Sequence, residues 1–464
     1  MSLVDAARAL FAGAEAWIVG GAVRDRLLGR ATTDLDLALP AEPKDAARAL
    51  ARATGGAAFR LSGAFGAWRV VGDGGAWHVD LVVLRDGDIR ADLAARDFTV
   101  NAMAEPLAGG ELLDPHGGRA DLDARRLRMV APSALEDDPL RALRAVRLAI
   151  DLDLTIASET AAAMSHAAPG LARVAAERSF AELKQVIASP AVRTGLALMD
   201  AHGITAQLLP ELVALRGVEQ NEFHHLDVHD HTLEVLDAVV AIEHDPLAAG
   251  FGEHAEAVGA LLRAPLADEL TRGQAMRFAA LLHDAAKPWT RMLRDDGRVA
   301  GFPGHDREGA ELARALLRRL RASTKLADHV ASLCLHHLRV GFLVHERPLD
   351  RRAVWRYLRA TDPWSPEVTV FTVADRLATR GRNAEPAIAA HLEVARTLLG
   401  PALERRAQGR PAPLVRGDRL ARELGIAAGP RLGELLAQLE EDRYAGAIAT
   451  PEDAIRRARE LAGG

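Results

Sequence analysis

Every strand-like stretch of this 464-residue chain lies in its first 130 residues. Short apolar runs with Gly-rich turns occur at residues 16–19, 35–39, 68–71, 78–84 and 127–129, with helical patterns at 22–28 and 43–53. From about Ser133 that texture stops. Long Ala/Leu/Arg segments with a 3.6-residue period run to the end, which predicts an all-helical remainder. The fold class is therefore α+β and multidomain: a small mixed head followed by helices. Aromatic residues make up 4% of the chain and Ala leads the apolar set, which suits helix packing better than a β-sandwich. The length predicts about two to four domains. Linkers are expected at 215–220, 381–386 and 408–413; no internal repeat or low-complexity tract is seen.

A net charge of −6 argues against a global field for nucleic acid, so any RNA contact must come from local clusters. The basic residues are overwhelmingly Arg, which suits bidentate phosphate contacts, although a GC-rich genome gives the same bias. The single cysteine, Cys334, rules out an internal disulfide and a Cys-rich zinc site, and predicts a buried thiol in a reducing compartment. Residues 1–10 lack the basic start and long apolar run of a signal peptide, and no apolar run is long enough to span a bilayer. The expected location is cytoplasmic, with no membrane contact and no obligate protein partner.

The segment Asp34-Leu35-Asp36-Leu37 reads as a strand whose two carboxylates share one face while the leucines enter a core. Two such carboxylates repel unless a cation lies between them. Mg²⁺ binds through one or two carboxylates plus substrate phosphates. Upstream, Gly20-Gly21 lets backbone amides approach a triphosphate closely. Together these features point to two-metal nucleotidyl transfer. Asp121-Leu122-Asp123 and Asp151-Leu152-Asp153 have the same spacing and read as ordinary surface or turn pairs. Asp80, in the strand Trp77-His78-Val79-Asp80-Leu81, is a third acid, either a base for the attacking hydroxyl or a support for the metal site.

A second pattern opens a helix at Asp137-Asp138-Pro139-Leu140-Arg141. Pro139 suits a first turn, and Asp138 and Arg141, three apart, share a face. A carboxylate accepts from an exocyclic amine and an Arg fork donates to ring and carbonyl acceptors. C and A both present an amine beside an acceptor, so one Asp/Arg pair can read both and reject G and U. Plain helix capping is the competing reading.

The ordered elements Gly20-Gly21-Ala22-Val23-Arg24-Asp25, Leu27-Leu28-Gly29 and Asp34-Leu35-Asp36 resemble the first signature of the class II tRNA nucleotidyltransferase (CCA-adding) and bacterial poly(A) polymerase family. That family has a polymerase-β-like head, and the resemblance implies domains at 1–130 (head), 131–215 (helical neck with base recognition), 216–380 (HD domain) and 381–464 (helical, RNA-binding tail). It implies that Asp34 and Asp36 bind Mg²⁺ and, with Asp80, form the catalytic set. Gly20, Gly21, Arg24, Arg96, Asp97, Asn101, Asp138, Arg141 and Arg144 become nucleotide contacts. Arg96-Asp97-Phe98-Thr99-Val100-Asn101 is similar to the second signature, but Ala95 stands where the family has another arginine. Residues 85–94 take the place of its flexible loop. Asp138 and Arg141 fall in the base-templating signature, with Asp137 in place of Glu. Glu177-Arg178 through Glu182-Leu183 matches a neck helix expected to be structural.

Histidines cluster farther on. Imidazole with carboxylate is a good set for borderline metals. The order His231, His283-Asp284, His305, His337, Asp375 resembles the HD phosphohydrolase domain and implies a Mn²⁺, Co²⁺ or Ni²⁺ site. Its register leaves His336 or His337 as ligand, with the following Leu-Arg favouring His337. His231 is preferred to His229, and Lys287 is a candidate phosphate holder. The resemblance implies transfer of CMP and AMP from CTP and ATP to the 3′ end of tRNA, or of AMP alone. Three alternatives stand beside it: poly(A) addition to RNA, an HD phosphohydrolase with a non-catalytic head, and a non-catalytic RNA-binding module.

Overall fold

Leu35, Leu37 and Leu39 are buried while Asp34 is exposed and Asp36 half-buried, so residues 34–39 form a strand with one polar edge. The computed structural model describes residues 3–31, 34–62 and 66–463. Strands β1 (Trp17–Val19), β2 (Asp34–Leu39), β3 (Ala57–Ser62), β4 (Ala67–Gly72), β5 (Trp77–Val83) and β6 (Ala104–Pro106) form one sheet in the order β3-β4-β5-β2-β1-β6. Its centre is parallel: β2 runs alongside β5, with Asp34 opposite His78 and Asp36 opposite Asp80. All other pairings are antiparallel. Helices α1 (Gly21–Leu27) and α2 (Lys44–Thr54) follow β1 and β2.

The expected mixed head is present, with β3 and β6 added. Both are Ala-containing stretches without the β-branched alternation that marks a strand in sequence. Residues 85–94, expected as a polar loop, instead carry helix α3 (Ile89–Ala94). Asp88 caps it by accepting from the Arg90 N–H at 3.0 Å, and Ile89 and Leu93 enter the core beneath the sheet. Helix α4 (Gly118–Asp123) holds a further departure. Asp121 is fully buried rather than a surface acid, accepting from the Thr99 hydroxyl at 2.6 Å, Arg126 Nε at 2.6 Å and Arg128 Nε at 3.0 Å.

Helices α5 (Leu140–Leu152) and α6 (Ala176–Ala188) lie in the helical part of the first of two compact units, which ends at Leu208. The second unit, from Leu209, is helical except for short antiparallel pairs: Pro265–Ala267 with Leu270–Thr271, and Met292–Leu293 with Val299–Gly301. These pairs are too short to leave a period in the sequence. Its site-bearing helices are α7 (Val228–His244), α8 (Arg272–Leu282), α9 (His305–Arg319), α10 (Thr324–His336) and α11 (Ser365–Ala378). The expected linker at 381–386 is tied down: Gly381 and Arg382 donate their amides to the Phe223 and Glu222 carbonyls. Past helix α12 (Ala384–Gln408), helices α13 (Gly417–Leu424), α14 (Pro430–Ala445) and α15 (Pro451–Gly463) close their own core around Leu420, Leu435 and Ala454. Among the described residues no helix is long and apolar enough to cross a membrane.

Asp121→Ala is expected to destabilise the first unit by about 2 kcal/mol or more. It strands the Thr99 hydroxyl and leaves two guanidinium groups facing one another. Burial opposes the Asp121 charge, yet Thr99, Arg126 and Arg128 hold its carboxyl below the ordinary value. Its contribution is thus full above the unfolded-state pKa of about 3.9 and is lost as pH falls through the lower folded value. Urea denaturation of both proteins from pH 7 to pH 3 measures it; a difference that does not shrink with acid refutes the account.

Candidate active site and metal centre

Gly20 ends β1 with φ +70°, a left-handed conformation that glycine takes freely. A Cβ there would lie 2.7 Å from Arg96 Nη1 and 3.2 Å from Asp36 Oδ2. The glycine turn, the strand carboxylate and Arg96 therefore converge on one point. Gly21 begins α1, with Arg24 one turn on. Burial pushes the Asp36 carboxyl above its ordinary value. Arg96, Arg144 and His78 oppose that shift, and the Asp80 charge adds to it. Asp34 Oδ1 sits 2.9 Å from His78 Nδ1. Asp80 stands next to Asp36 across the parallel pair, but its oxygens accept from Arg69 Nε and Nη2, both at 2.7 Å. That fork neutralises the third carboxylate. Two strand acids and a close-approach glycine turn remain, which fits the Mg²⁺ preference for few carboxylates plus phosphate oxygens.

Behind this edge lies a chain of polar side chains. Arg24 Nη1 donates to Asn101 Oδ1 at 2.6 Å, and Asn101 Nδ2 donates to Asp97 Oδ1 at 3.1 Å. Asp97 also accepts the Phe98 amide at 2.8 Å and pairs with Arg144 Nε at 2.6 Å. Burial works against the Asp97 charge, but Arg144, Asn101, the Phe98 amide and Arg141 hold it below the ordinary value. Arg144 reaches Glu182 at 3.4 Å, and Glu182 takes Arg147 Nε at 2.6 Å. Arg96 is anchored on Asp92 by Nε (3.1 Å) and Nη2 (2.9 Å).

A cleft of about 520 Å³ opens beside this chain, lined among others by Arg96, Asp97, Asp138, Arg141, Arg144 and Arg178. Arg96 and Asp97 of the second signature and Asp138 and Arg141 of the 137–141 segment line it, while Asn101 does not; Asp138 and Arg141 do not share a helical face. The helix begins at Leu140; Asp138 is extended (φ −144°, ψ 96°) and accepts the Leu140 amide at 3.3 Å. Arg141 donates to three backbone carbonyls: Ala95 (2.9 Å), Ala134 (3.1 Å) and Arg96 (3.3 Å). Asp138 pairs instead with Arg178, whose Nη2 lies 2.6 Å from Oδ2. The sequence reading missed Arg178 as a cleft residue. Its place one position into a Glu-Arg-x-x-x-Glu helix pattern gave only a packing signal.

In the second unit the histidines meet at helix ends. His231 lies in the first turn of α7, His283 and Asp284 at the end of α8, His305 at the start of α9, His337 at the end of α10, and Asp375 within α11. His283, His305 and His337 each place Nδ1 on the carbonyl three residues earlier, at 2.9, 2.6 and 2.6 Å. Donation from Nδ1 turns each Nε2 lone pair inward, as a metal site requires. Asp284, 1% exposed, faces two groups. Its Oδ2 is 3.2 Å from His283 Nε2 and 3.8 Å from His231 Nε2. Its Oδ1 is 3.5 Å from His305 Nε2 and 3.9 Å from His337 Nε2. Asp375 Oδ1 approaches His231 Nε2 at 3.1 Å. His305 and His337 bring their Nε2 atoms to 3.2 Å, two acceptors that a shared cation would reconcile. Both triads, His231/His283/Asp284 and Asp284/His305/His337, have the compactness of a metal site. His336 turns away and accepts from Arg339 at 2.8 Å.

Burial disfavours the Asp284 charge, but His283, Lys287 and His305 hold its carboxyl well below the ordinary range. Burial pushes His337 down to about 4, so it is neutral and available as a ligand. Lys287 Nζ sits 2.7 Å from Asp284 Oδ2. His224, against His231 and pushed by burial to about 3, joins the lining of a cleft of about 490 Å³ whose rim carries Phe223 and Phe342.

Residues 16–73 and 74–128 match the poly A polymerase head domain, 153–215 a probable RNA- and SrmB-binding site of polymerase A, and 251–380 the HD domain. The A-adding tRNA nucleotidyltransferase of Deinococcus radiodurans is 37% identical over 94% of this chain and 93% of its own. The CC-adding tRNA nucleotidyltransferase of Thermus thermophilus is 34% identical over 95% of this chain and 92% of its own. The solved structure of a CCA-adding enzyme with ATP has this fold, with a TM-score of 0.62 at 20% identity over 100% of this chain and 96% of that one. A head of this kind followed by an HD unit defines a nucleotidyltransferase. The chain belongs to the tRNA nucleotidyltransferase family.

Gly20→Ala is expected to displace Arg96 and cost about 1–3 kcal/mol from the positive-φ backbone (φ +70°, ψ −132°) alone. Denaturant titration measures the loss. A variant as stable as the parent, with its Arg96 contacts unchanged in a crystal structure, contradicts the convergence described.

Proposed function

We propose that this protein transfers a nucleoside monophosphate from CTP or ATP to the 3′ end of tRNA. The observation that carries this reading is the convergence of the Gly20 turn, Asp36 and Arg96 beside the cleft that holds Asp138 and Arg141. In the reaction, the terminal ribose 3′ oxygen forms a bond to the α-phosphorus while the bond from that phosphorus to the bridging oxygen breaks. Pyrophosphate leaves and the hydroxyl proton passes to solvent. Asp34 and Asp36 would hold Mg²⁺, which when bound neutralises phosphate charge and acidifies the attacking hydroxyl.

The chain's own residues bind and orient. The Gly20-Gly21 backbone and Arg96 face the triphosphate. Arg24, Asn101, Asp97 and Arg144 form the polar wall beside the sugar. Asp138 accepts the exocyclic amine that C and A share, and Arg141 donates to the adjacent acceptor. The Arg69 fork favours a supporting role for Asp80 over that of base. The named activities of the two relatives, A-adding and CC-adding, support tRNA over poly(A) addition and leave both bases as substrates. Substrates of this kind support a cytoplasmic location.

A second activity is favoured by one observation: two ligand triads share Asp284, with three histidines tautomerically fixed toward it. That donor set suits Mn²⁺, Co²⁺ or Ni²⁺ better than Mg²⁺. Held by His231, His283, Asp284, His305 and His337, such an ion would activate a water near neutral pH. Lys287, which borders the same cleft, is the candidate phosphate holder, and phosphomonoesters or cyclic phosphates at RNA ends are the proposed substrates.

Asp36→Ala is expected to lower nucleotide addition by at least about a thousandfold while leaving the melting temperature within a few degrees. The assay uses tRNA transcripts ending before the first C, after it and after the second C, each with one labelled nucleotide. Near-normal addition in Mg²⁺ sinks the proposal. Separately, His283→Ala combined with Asp284→Ala is expected to remove transition-metal binding and phosphatase activity yet spare addition. Calorimetry with Mn²⁺, Co²⁺ and Ni²⁺ and hydrolysis of a model phosphodiester test this. A wild type that binds none of these ions and hydrolyses nothing refutes the second activity.

A further inference from the structure

We infer that Arg178 is a specificity-determining positioning residue: it holds the Asp138 carboxylate in the orientation that selects amine-bearing bases. This inference rests on the assignment of Asp138 as the base reader. Asp138 is not held by a helix, since its backbone is extended and α5 starts two residues later. A carboxylate on such a turn would rotate freely about its side-chain bonds. Its fixed contacts are the Leu140 amide on Oδ1 at 3.3 Å and the Arg178 guanidinium, with Nη1 at 3.4 Å from Oδ1 and Nη2 at 2.6 Å from Oδ2. The two planar groups lie fork to fork, the arrangement in which Arg fixes a carboxylate plane as well as its charge.

Arg178 comes from α6, whose Glu182 takes Arg144 and Arg147 of α5. It therefore reaches Asp138 from a scaffold that is itself pinned. Gly170 lies beneath the turn, where a Cβ would come within 2.6 Å of Pro139, so the Asp138-Pro139 turn is packed from below as well. Arg141 does not do this: three of its five N–H donors go to the Ala95, Arg96 and Ala134 carbonyls, and the partner of the Asp138 carboxylate is Arg178. The side chain of Arg178 is 54% exposed and that of Asp138 27% exposed, so both border the cleft rather than the core. An amine from C or A can share an oxygen that Arg178 already orients. A carbonyl from U or G at the same place meets the negative edge.

The test measures kcat and KM for CTP, UTP, ATP and GTP on the matching tRNA transcripts. It compares wild type with Arg178→Ala, Arg178→Lys, Asp138→Ala and the Arg178→Ala/Asp138→Ala double variant, all in the full-length protein. For Arg178→Ala the CTP/UTP and ATP/GTP ratios of kcat/KM are expected to fall about tenfold, the scale of one bidentate reading contact. The loss should appear mainly as a higher KM for CTP and ATP. Arg178→Lys should recover part of it, and the double variant should match Asp138→Ala alone. Equal losses for all four nucleotides, or a double variant that loses the two effects multiplicatively, overturn the role of Arg178. If Asp138→Ala itself leaves selection intact, the base-reader assignment fails and this inference falls with it. Selection lost in Asp138→Ala but kept in Arg178→Ala refutes this inference alone. Because Arg178 is half exposed, melting curves of its variants should overlay wild type.

Discussion

A carboxylate removed from water stays charged only if cations and N–H groups replace its hydration. Asp97 meets that condition with three separate partners: its neighbour's amide, the Asn101 side chain and the Arg144 guanidinium. Each partner belongs to a different part of the site. The Phe98 amide fixes the turn that carries Asp97, Asn101 passes the connection to Arg24 in the helix after the glycine turn, and Arg144 passes it to Glu182 on α6. Helices α1, α5 and α6 are thus tied through side chains to one buried charge. Replacing it with an isosteric amide would leave Arg144 facing Glu182 alone and would cut the tie at its centre.

The strand acids follow the opposite logic. Arg69 satisfies Asp80 with a two-pronged contact, whereas burial drives the Asp36 carboxyl upward. Asp80 has its countercharge bound to it, whereas the pull of Arg96, Arg144 and His78 on Asp36 does not outweigh its burial. The difference marks which acid the fold leaves to an outside cation. Asp284, in the second unit, is the opposite case: its charge is held despite burial, with Lys287 against it. It is buried among four imidazoles and one ammonium, and the three Nδ1-to-carbonyl contacts aim neutral lone pairs at it. Hydrogen bonds made away from the centre decide what faces the centre.

Much of this was legible in the sequence. The alternation of residues 34–39 gave the strand and the shared polar face. The end of strand-like runs near residue 130 gave the change to helices, and the ordered histidines gave the ligand group. What escaped depends on contacts between distant residues. Asp121 looks like a surface acid because its partners Thr99, Arg126 and Arg128 carry no spacing signal relative to it. Helix α3 was hidden because only Ile89 and Leu93 enter the core, and a six-residue helix leaves barely one turn of period. The helical pairing of Asp138 with Arg141 was wrong because Pro139 sets the helix start after Asp138 rather than before it. Arg178, 40 residues away, takes the place that the i, i+3 rule had given to Arg141.

On the proposed assignment of Asp138 and Arg141 as base readers, that exchange has a consequence for selection without a nucleic-acid template. Reading a base demands donors and acceptors fixed to a fraction of an ångström, since small misplacements are costly in rate. Arg141 gains its fixity from backbone carbonyls at 95, 96 and 134, which bind it to the same turn that carries Asp97. Backbone acceptors cannot be removed by side-chain substitution, so this half of the reader is a constant of the fold. Asp138 gains its fixity from a half-exposed side chain on another helix, which can vary from one sequence to the next. One half of the reader is thus set by the chain's architecture and the other by a replaceable residue. Change in base preference within this fold is then expected to run through the Asp138 side of the cleft rather than through Arg141.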